Sequence, residues 1–428
     1  MSKKCELDIK DELALQEVSI TPSGESVLAK LGIEPARLKS IETRWKRTEY
    51  RAVINWLKNY KPHPNASNIE EIKGYLEAFH HLCKVEDWEQ ANKILFITLN
   101  TPTDEDLHNQ LFTWGYYRER NDLYNRLLDK LSPSLKVIVL NGLGNTYHAL
   151  GDYTKAIDFY KQALTIVRET KDHQAEGKTL GNLGIVYDSL GEYVQAIEYY
   201  QQALAIAQQL QNTQEQGKTL GNLGLAYESL GDYNKAIEYH QQQLAIAQTL
   251  GDPQGEANAL GSLGLAYEPL GDYAKAIECH QQHLAIVQEI QNLPGEGIAL
   301  GNLGNAYFYQ DDYAKAIECH QQHLLIARQI GNRQEEAHAL GSLGLIYRAL
   351  EEYTQAISYY QQSLSIAREI SDRQGEGRSL GNLGDAYFYQ GDRELAIEYY
   401  QHGLKILRAI GDRQGEARFL NNLELAYS

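Results

Sequence analysis

Cysteine is scarce. Four residues in 428, Cys5, Cys83, Cys279 and Cys319, are too few and too scattered for a disulfide framework. Free thiols suit a reducing compartment. Long apolar runs are missing too: no stretch approaches the roughly eighteen apolar residues that a membrane-spanning helix needs. The opening MSKKCELDIKDELAL carries acids where a secretory signal needs an apolar core, so a cytoplasmic protein is expected. There is no excess of positive charge. Lys and Arg number 40 against 57 Asp and Glu, a net −17. Residues 1–134 hold 19 bases and 21 acids, and residues 135–428 hold 21 and 36, so the deficit sits in the second part. An array that acidic repels phosphate backbones, which argues against nucleic acid as a ligand. Nor is there a nucleophile elbow, a His-Glu-x-x-His pair or a dinucleotide fingerprint. The chain is not expected to be an enzyme, and no cofactor is implied.

Two fragments imitate chemistry. EGKTLGNLG at 176–184 and QGKTLGNLG at 216–224 contain the Gly-Lys-Thr of a phosphate loop, but the Gly required five residues earlier is replaced by Asp172 and Asn212. ECHQQH at 278–283 and 318–323 puts Cys279 with His283, and Cys319 with His323, four apart on one helix face. A zinc site takes four ligands. Other copies of these columns hold Tyr, Ala, Gln or Ser, so packing between helices is the expected role, as it is for His80, His81 and Cys83.

What the chain has in abundance is itself. Written in rows of forty, LGNLGIVYDSLGEYVQAIEYYQQALAIAQQL from Leu180 recurs from Leu220, Leu260, Leu300, Leu340 and Leu380, with a variant from Leu140. Each unit reads as two helices. Leu183, Tyr187 and Leu190 mark the first, and Ala196, Ile197, Tyr200, Leu204 and Ile206 the second. Gly191 suits a left-handed helix end, and Glu192, Asp in most copies, is positioned to cap the next helix. Between units, Asp252 is placed as an N-cap and Pro253 at the first helical position. Pro269 is expected to distort the end of its helix by removing a backbone donor.

Gly184, Gly224, Gly264, Gly304, Gly344 and Gly384 fill one column inside the first helix. Each costs about 1 kcal/mol against Ala, a cost that close approach of the two helices of a pair would explain. The last copy has Glu424 in that column and no second helix after it, so 413–428 is expected to be a lone capping helix at a natural end. One pair cannot offset its own ordering entropy, so neighbours must stack into a continuous superhelix.

Leu183-Gly184, Tyr187, Gly191-Glu192-Tyr193 and Ala196 resemble the tetratricopeptide repeat pattern over about 135–428. The usual unit has about 34 residues. The longer unit here is similar to those of the Leu-Gly-Asn repeat adaptors of spindle orientation, kinesin light chain and long bacterial arrays. The resemblance implies an all-α, right-handed α-solenoid of stacked antiparallel helix pairs, with peptides or protein segments as partners. Seven pairs and the capping helix are assigned to 135–428, degenerate pairs to 66–134, and an N-terminal segment to 1–65. In 69–131, helix, polar break (Glu86-Asp87-Trp88) and helix are legible, and KPHPNAS at 61–67 is a breaker. Residues 36–60 read as a basic amphipathic helix. Leu38, Ile41, Trp45, Ala52 and Trp56 form its apolar stripe, surrounded by Arg37, Lys39, Arg44, Lys46, Arg47 and Arg51. A cap over the first repeat, a dock onto the acidic array or a partner, and a membrane-surface or nucleic-acid contact are its possible roles. Residues 1–30 are weakly patterned and expected to be mobile.

The resemblance also implies that the first helices line a concave face. The columns that vary along it then describe a ligand: Ile185, Leu225, Leu265, Asn305 and Asp385 in one, Asp188, Glu228, Glu268, Phe308, Arg348 and Phe388 in another, Tyr309 and Tyr389 in the next. Near the helix starts lie Lys178, Lys218, His338, Arg378 and Arg418. The expected groove has an aliphatic, acidic half and an aromatic, Arg-rich half, the latter being typical hot-spot chemistry. A basic part of the ligand is assigned to the first half and an apolar or acidic part to the second. The leading function is a protein-binding scaffold or adaptor. The others are a regulatory subunit whose first 60 residues dock on the array, and an enzyme with an unrecognised site in 1–134.

Overall fold

The computed structural model describes residues 19–428. Cys5 and most of the expected weakly patterned stretch lie outside them. The chain divides into two compact units, Met1–Val186 and Tyr187–Ser428. Among the described residues the regular structure is helical, apart from one isolated bridge between Thr98 and Asp106.

In the first unit, helices Gly24–Lys30, Arg44–Asn59, Asn68–Glu71, Lys73–Lys84, Trp88–Leu95, Leu107–Thr113 and Tyr117–Leu127 precede the forty-residue pair Pro133–Ala149 and Tyr153–Thr170. One core joins them, from Val27 and Leu28 through Val53, Leu57, Phe79, Leu82, Ile94 and Leu111 to Tyr124 and Leu143. Residues 24–30, within the stretch 1–30 expected to be mobile, are therefore helical and packed into this core. Ser23 caps their helix, and Val27, Leu28, Leu31 and Ile33 are buried.

The expected basic helix over 36–60 is two elements. A 3-10 turn, Pro35–Ser40, and the helix Arg44–Asn59 are separated by extended Ile41, whose carbonyl accepts from Arg47 Nε at 3.2 Å and Nη2 at 2.9 Å. The break takes Leu38 and Ile41 out of helical phase. Tyr50, Val53, Ile54 and Leu57, spaced at i, i+3, i+4 and i+7, face the core instead, and Trp45 stays 49% exposed. The polar break at 86–88 forms as expected. Glu86 is left-handed, and Asp87 accepts from the Gln90 N–H. Arg120, 2% exposed, lies over the rings of Phe112 and Tyr124 and donates to Gly142 O and Thr146 Oγ1.

The second unit continues from the end of the helix His173–Ser189 through Tyr193–Gln209. It then forms the antiparallel pairs Thr213–Ser229 with Tyr233–Leu250, Pro253–Tyr267 with Tyr273–Glu289, Leu293–Tyr309 with Tyr313–Gln329, Arg333–Ala349 with Tyr353–Glu369, and Arg373–Gln390 with Arg393–Ile410. Arg413–Tyr427 stands alone after them. This is an α-solenoid of stacked pairs. Within each pair the turn follows one recipe. Gly231 takes φ 83°, and Asp232 accepts from the Lys235 N–H at 3.3 Å. Where glycine is missing, Asp311 adopts φ 60° in its place. Glu192 and Glu352 make no side-chain cap bond, contrary to the role expected of Glu192: the extra methylene carries the carboxylate past the N–H that Asp reaches. Asp252 caps Gly255 with Pro253 at the first position, and Pro269 turns Glu268–Leu270 into 3-10 helix, both as expected.

The glycine column is explained by rings. A Cβ on Gly224, Gly264, Gly304, Gly344 or Gly384 would lie 2.2–2.7 Å from an atom of His240, His280, His320, Tyr360 or Tyr400, in each case sixteen residues later on the second helix. Phe419, fully buried in the lone helix, fills the space left by Gly381 and Gly403.

Candidate binding face of the first helices

A first helix of the second unit has one free face. In Thr213–Ser229, Leu220, Gly221, Leu223, Gly224, Ala226 and Tyr227 are buried against neighbours. Lys218, Asn222, Leu225 and Ser229, spaced four, three and four apart, form the opposite stripe. The same stripe is Asn258, Ser262, Leu265 in the next pair, then Ile298, Asn302, Asn305, Tyr309, then His338, Ser342, Leu345, then Arg378, Asn382, Asp385, Tyr389, and finally Arg418, Asn422, Leu425. Successive stripes lie side by side: Arg378 Nη2 is 3.3 Å from His338 Nε2, and Asn422 Nδ2 donates to Asp385 Oδ1 at 3.1 Å. Several successive first helices contact one another directly, as Arg333–Ala349 and Arg373–Gln390 do.

The sequence-derived residues divide by position. Leu225, Leu265 and Asn305 are exposed on the stripe, as are Lys218, Arg378 and Arg418. Tyr309 and Tyr389 are 55% and 57% exposed and stack on Tyr273 and Tyr353 of the preceding second helices. Phe308 and Phe388, one residue earlier, turn partly into the core and present ring edges to Tyr309 and Tyr389. Arg348 lies over the Tyr389 ring, 5.9 Å from its centroid. Lys178 and Ile185 belong to the first unit, exposed on the helix His173–Ser189.

The acids are more committed than their column suggests. Glu228 and Glu268 are half-buried and hydrogen-bond His240 Nε2 at 3.0 Å and His280 Nε2 at 3.3 Å. Burial raises the Asp188 carboxyl above the usual range, and its Oδ1 is buried without a hydrogen bond. Asp385 accepts from Tyr400 Oη at 2.7 Å as well as from Asn422. It lines a small cleft of about 50 Å³ with Phe388, Tyr389, Tyr400, Asn422 and Leu425.

The cations separate in the same way. Arg328, Arg333, Arg368, Arg373 and Arg408 are ion-paired to Glu336, Glu369, Glu376 or Glu416 at the turns between pairs. Arg378 and Arg418, on the stripe, meet an imidazole and a phenyl ring instead. Sequence reasoning passed over the Asn/Ser column Asn222, Ser262, Asn302, Ser342, Asn382, Asn422, whose half-buried polar groups punctuate the stripe. Its signal was the restriction of the column to two small polar residue types.

The two Cys-His pairs sit in packing positions. His283 and His323 rest 3.2 and 3.1 Å from where a Cβ of Gly261 or Gly301 would be, and burial pushes the Cys279 and Cys319 thiols up to about 11. His81 bonds Glu49 at 2.6 Å, and Arg126 donates to His80 at 2.7 Å. The Gly-Lys-Thr segments lie inside helices. No helix among the described residues is long and apolar enough to cross a membrane.

Among known proteins, the family model of the tetratricopeptide repeat matches residues 136–209, 215–289, 295–369 and 336–409. No curated protein matches the sequence. Solved structures with the same fold include a Signal Transduction ATPase with Numerous Domains from Pyrococcus horikoshii that carries a tetratricopeptide repeat sensor. It is 19% identical over 89% of this chain, with a TM-score of 0.58, and this chain spans 56% of it. The apo quorum sensor NprR of B. thuringiensis is 14% identical over 80% of this chain and all of its own, with a TM-score of 0.56. Aspartyl phosphate phosphatase F of Bacillus subtilis is 15% identical over 90% of this chain and 93% of its own, with a TM-score of 0.53. Repeat, turn and helix pairing agree with the sequence match over more than half of its length, and the chain belongs to the tetratricopeptide repeat family.

Proposed function

We propose that the chain is a protein-binding scaffold that holds a peptide or protein segment along the first-helix stripes of its second unit. The observation that carries this reading is the exposed apolar and aromatic row of Leu225, Leu265, Tyr309 and Tyr389 on helices whose other faces are buried. Aromatic and Arg side chains concentrate binding energy, and Arg378 and Arg418 flank the aromatic part without a carboxylate partner among the described contacts. An acidic or apolar part of the ligand fits that half. A basic part fits the half that presents Glu228 and Glu268. The Asn/Ser column between these residues supplies donors and acceptors suited to an extended backbone.

Capture from native lysate tests this reading. A chain carrying Tyr309→Ala, Arg378→Glu and Tyr389→Ala should lose a protein that the wild type retains. Equal recovery by both would overturn the assignment of this face. Tyr309 and Tyr389 are chosen over Phe308 and Phe388 because the latter support the core.

A second reading, a sensor or regulatory subunit, is favoured by the sensors among the structural neighbours. Its test is removal of residues 1–18, which should raise affinity for the captured partner if the N-terminal segment competes for it. Removing residues 1–65 would not serve, because Val27, Val53 and Leu57 belong to the core of the first unit.

A further inference from the structure

The ring that fills each glycine socket is not constant. In the second unit it is His240, His280 and His320 in three successive pairs, then Tyr360 and Tyr400. His283 and His323 add two more imidazoles three residues further along the same second helices. All five side chains are 0–7% exposed. Three adjacent second helices thus bury a ladder of titratable rings where the last two pairs bury phenols.

Their surroundings differ in what could balance a positive charge. His240 has Glu228 on Nε2 and Gln243 on Nδ1. His280 has Glu268 on Nε2 and His283 on its own helix. His323 has Glu335 of the following first helix at 3.1 Å, where His338 also sits 3.8 Å from that carboxylate. His320 has no such partner, because the column that supplies Glu228 and Glu268 holds Phe308 in its pair; its Nδ1 is unbonded, and the His323 imidazole lies with its ring centroid 6.4 Å away. His283 packs on Gly261 with Nδ1 unbonded, next to His280. On the following first helix Glu296 is held by Gln288 at 2.8 Å. Glu278 and Glu318 lie exposed on the outer sides of these helices.

We propose that residues 253–329 form an acid-labile section of the scaffold, in which protonation of His283 and His320 opens the two helix pairs that hold them while the tyrosine pairs beyond them stay closed. Both rings pack against a glycine of the first helix and are 7% and 2% exposed, so a charge on either has almost no contact with water in the closed pair. Opening is therefore the route by which these imidazoles reach water.

The direction of the effect follows from burial, which pushes both imidazoles from about 6.5 down to about 4. Between those values the open chain binds more protons than the folded one. The stability they confer is complete above about pH 6.5 and is lost as pH falls toward 4. Each of the two tilts the closed-to-open ratio by roughly twentyfold between pH 7 and pH 5.

Hydrogen exchange of the full chain, followed by mass spectrometry and corrected for intrinsic rates, reads this directly. From pH 7 to pH 5, opening within 253–329 should rise at least about twentyfold more than within 333–410. The variant H283A/H320Y should abolish that excess. It borrows residues that other copies hold in these columns, and Asn305 stands where Asn145 accepts from the hydroxyl of Tyr160. A uniform rise across both sections, or an unchanged response in the variant, would overturn the proposal. Should the variant fail to fold, a ¹³C-histidine NMR titration of the wild type decides. With resonances assigned by single His→Gln variants, His283 and His320 still neutral below about pH 5.5 support the proposal, and titration of either near about 6.5 sinks it.

Discussion

At the scale of single residues, the most informative side chain is one that is absent. A mid-helix glycine gives up about 1 kcal/mol of helix propensity, yet Gly344 cannot be improved, because a Cβ there would sit 2.5 Å from the Tyr360 ring. Gly344→Ala should therefore destabilise its pair by about 1–3 kcal/mol despite the better helix former, read as a lower urea midpoint for the exchange of amides in 333–369. The recurrence of the glycine was legible in the sequence, and so was the closeness it demanded. The ring was not, because its partner lies on another helix and changes identity between Tyr and His. The binding face shows the same limit. Phe308 and Tyr309 are neighbours in the chain but about 100° apart around the helix, so one column enters the core while the next meets solvent. Column variability alone marked both.

At the scale of the element, helix ends decide more than helix interiors. The Asp caps at 232, 272 and 312 each accept a backbone N–H at 3.2–3.3 Å, and Glu352 in the same position accepts none. Glu352→Asp should restore the bond and stabilise Tyr353–Glu369 by about 1 kcal/mol, seen as slower exchange of the amides in its first turn. Turns of this kind were readable because many copies showed the same Gly-Asp signal. The N-terminal elements had no second copy to compare. There the phase of the stripe in Arg44–Asn59 depended on a three-residue break that local spacing did not announce, held by Arg47 turning back onto the Ile41 carbonyl.

At the scale of the whole molecule, charge is the dominant fact. Most of the net −17 falls beyond residue 134, and packed repeats hold those carboxylates at fixed spacing, so like charges repel in the folded state more than in the open chain. Raising salt from 20 to 500 mM shortens the screening length to a few ångströms, and the thermal midpoint should climb by several degrees. A fall would show that the turn ion pairs, such as Arg368 with Glu376 at 2.8 Å, outweigh the repulsion.

The sockets also bear on how such a chain can change its length. Ring and glycine stand sixteen residues apart inside one pair, so the fit that defines a pair is carried within its own forty residues. Duplicating or deleting DNA in multiples of one unit leaves each socket whole wherever the cut falls, since a crossover in register rebuilds the same pairing from two parents. A change of any other length whose junction falls between a glycine and its ring sets that glycine against a residue that is not its ring. Recombination in whole steps thereby conserves the sockets, while contacts such as His323 with Glu335 of the next pair tie some units to a particular neighbour.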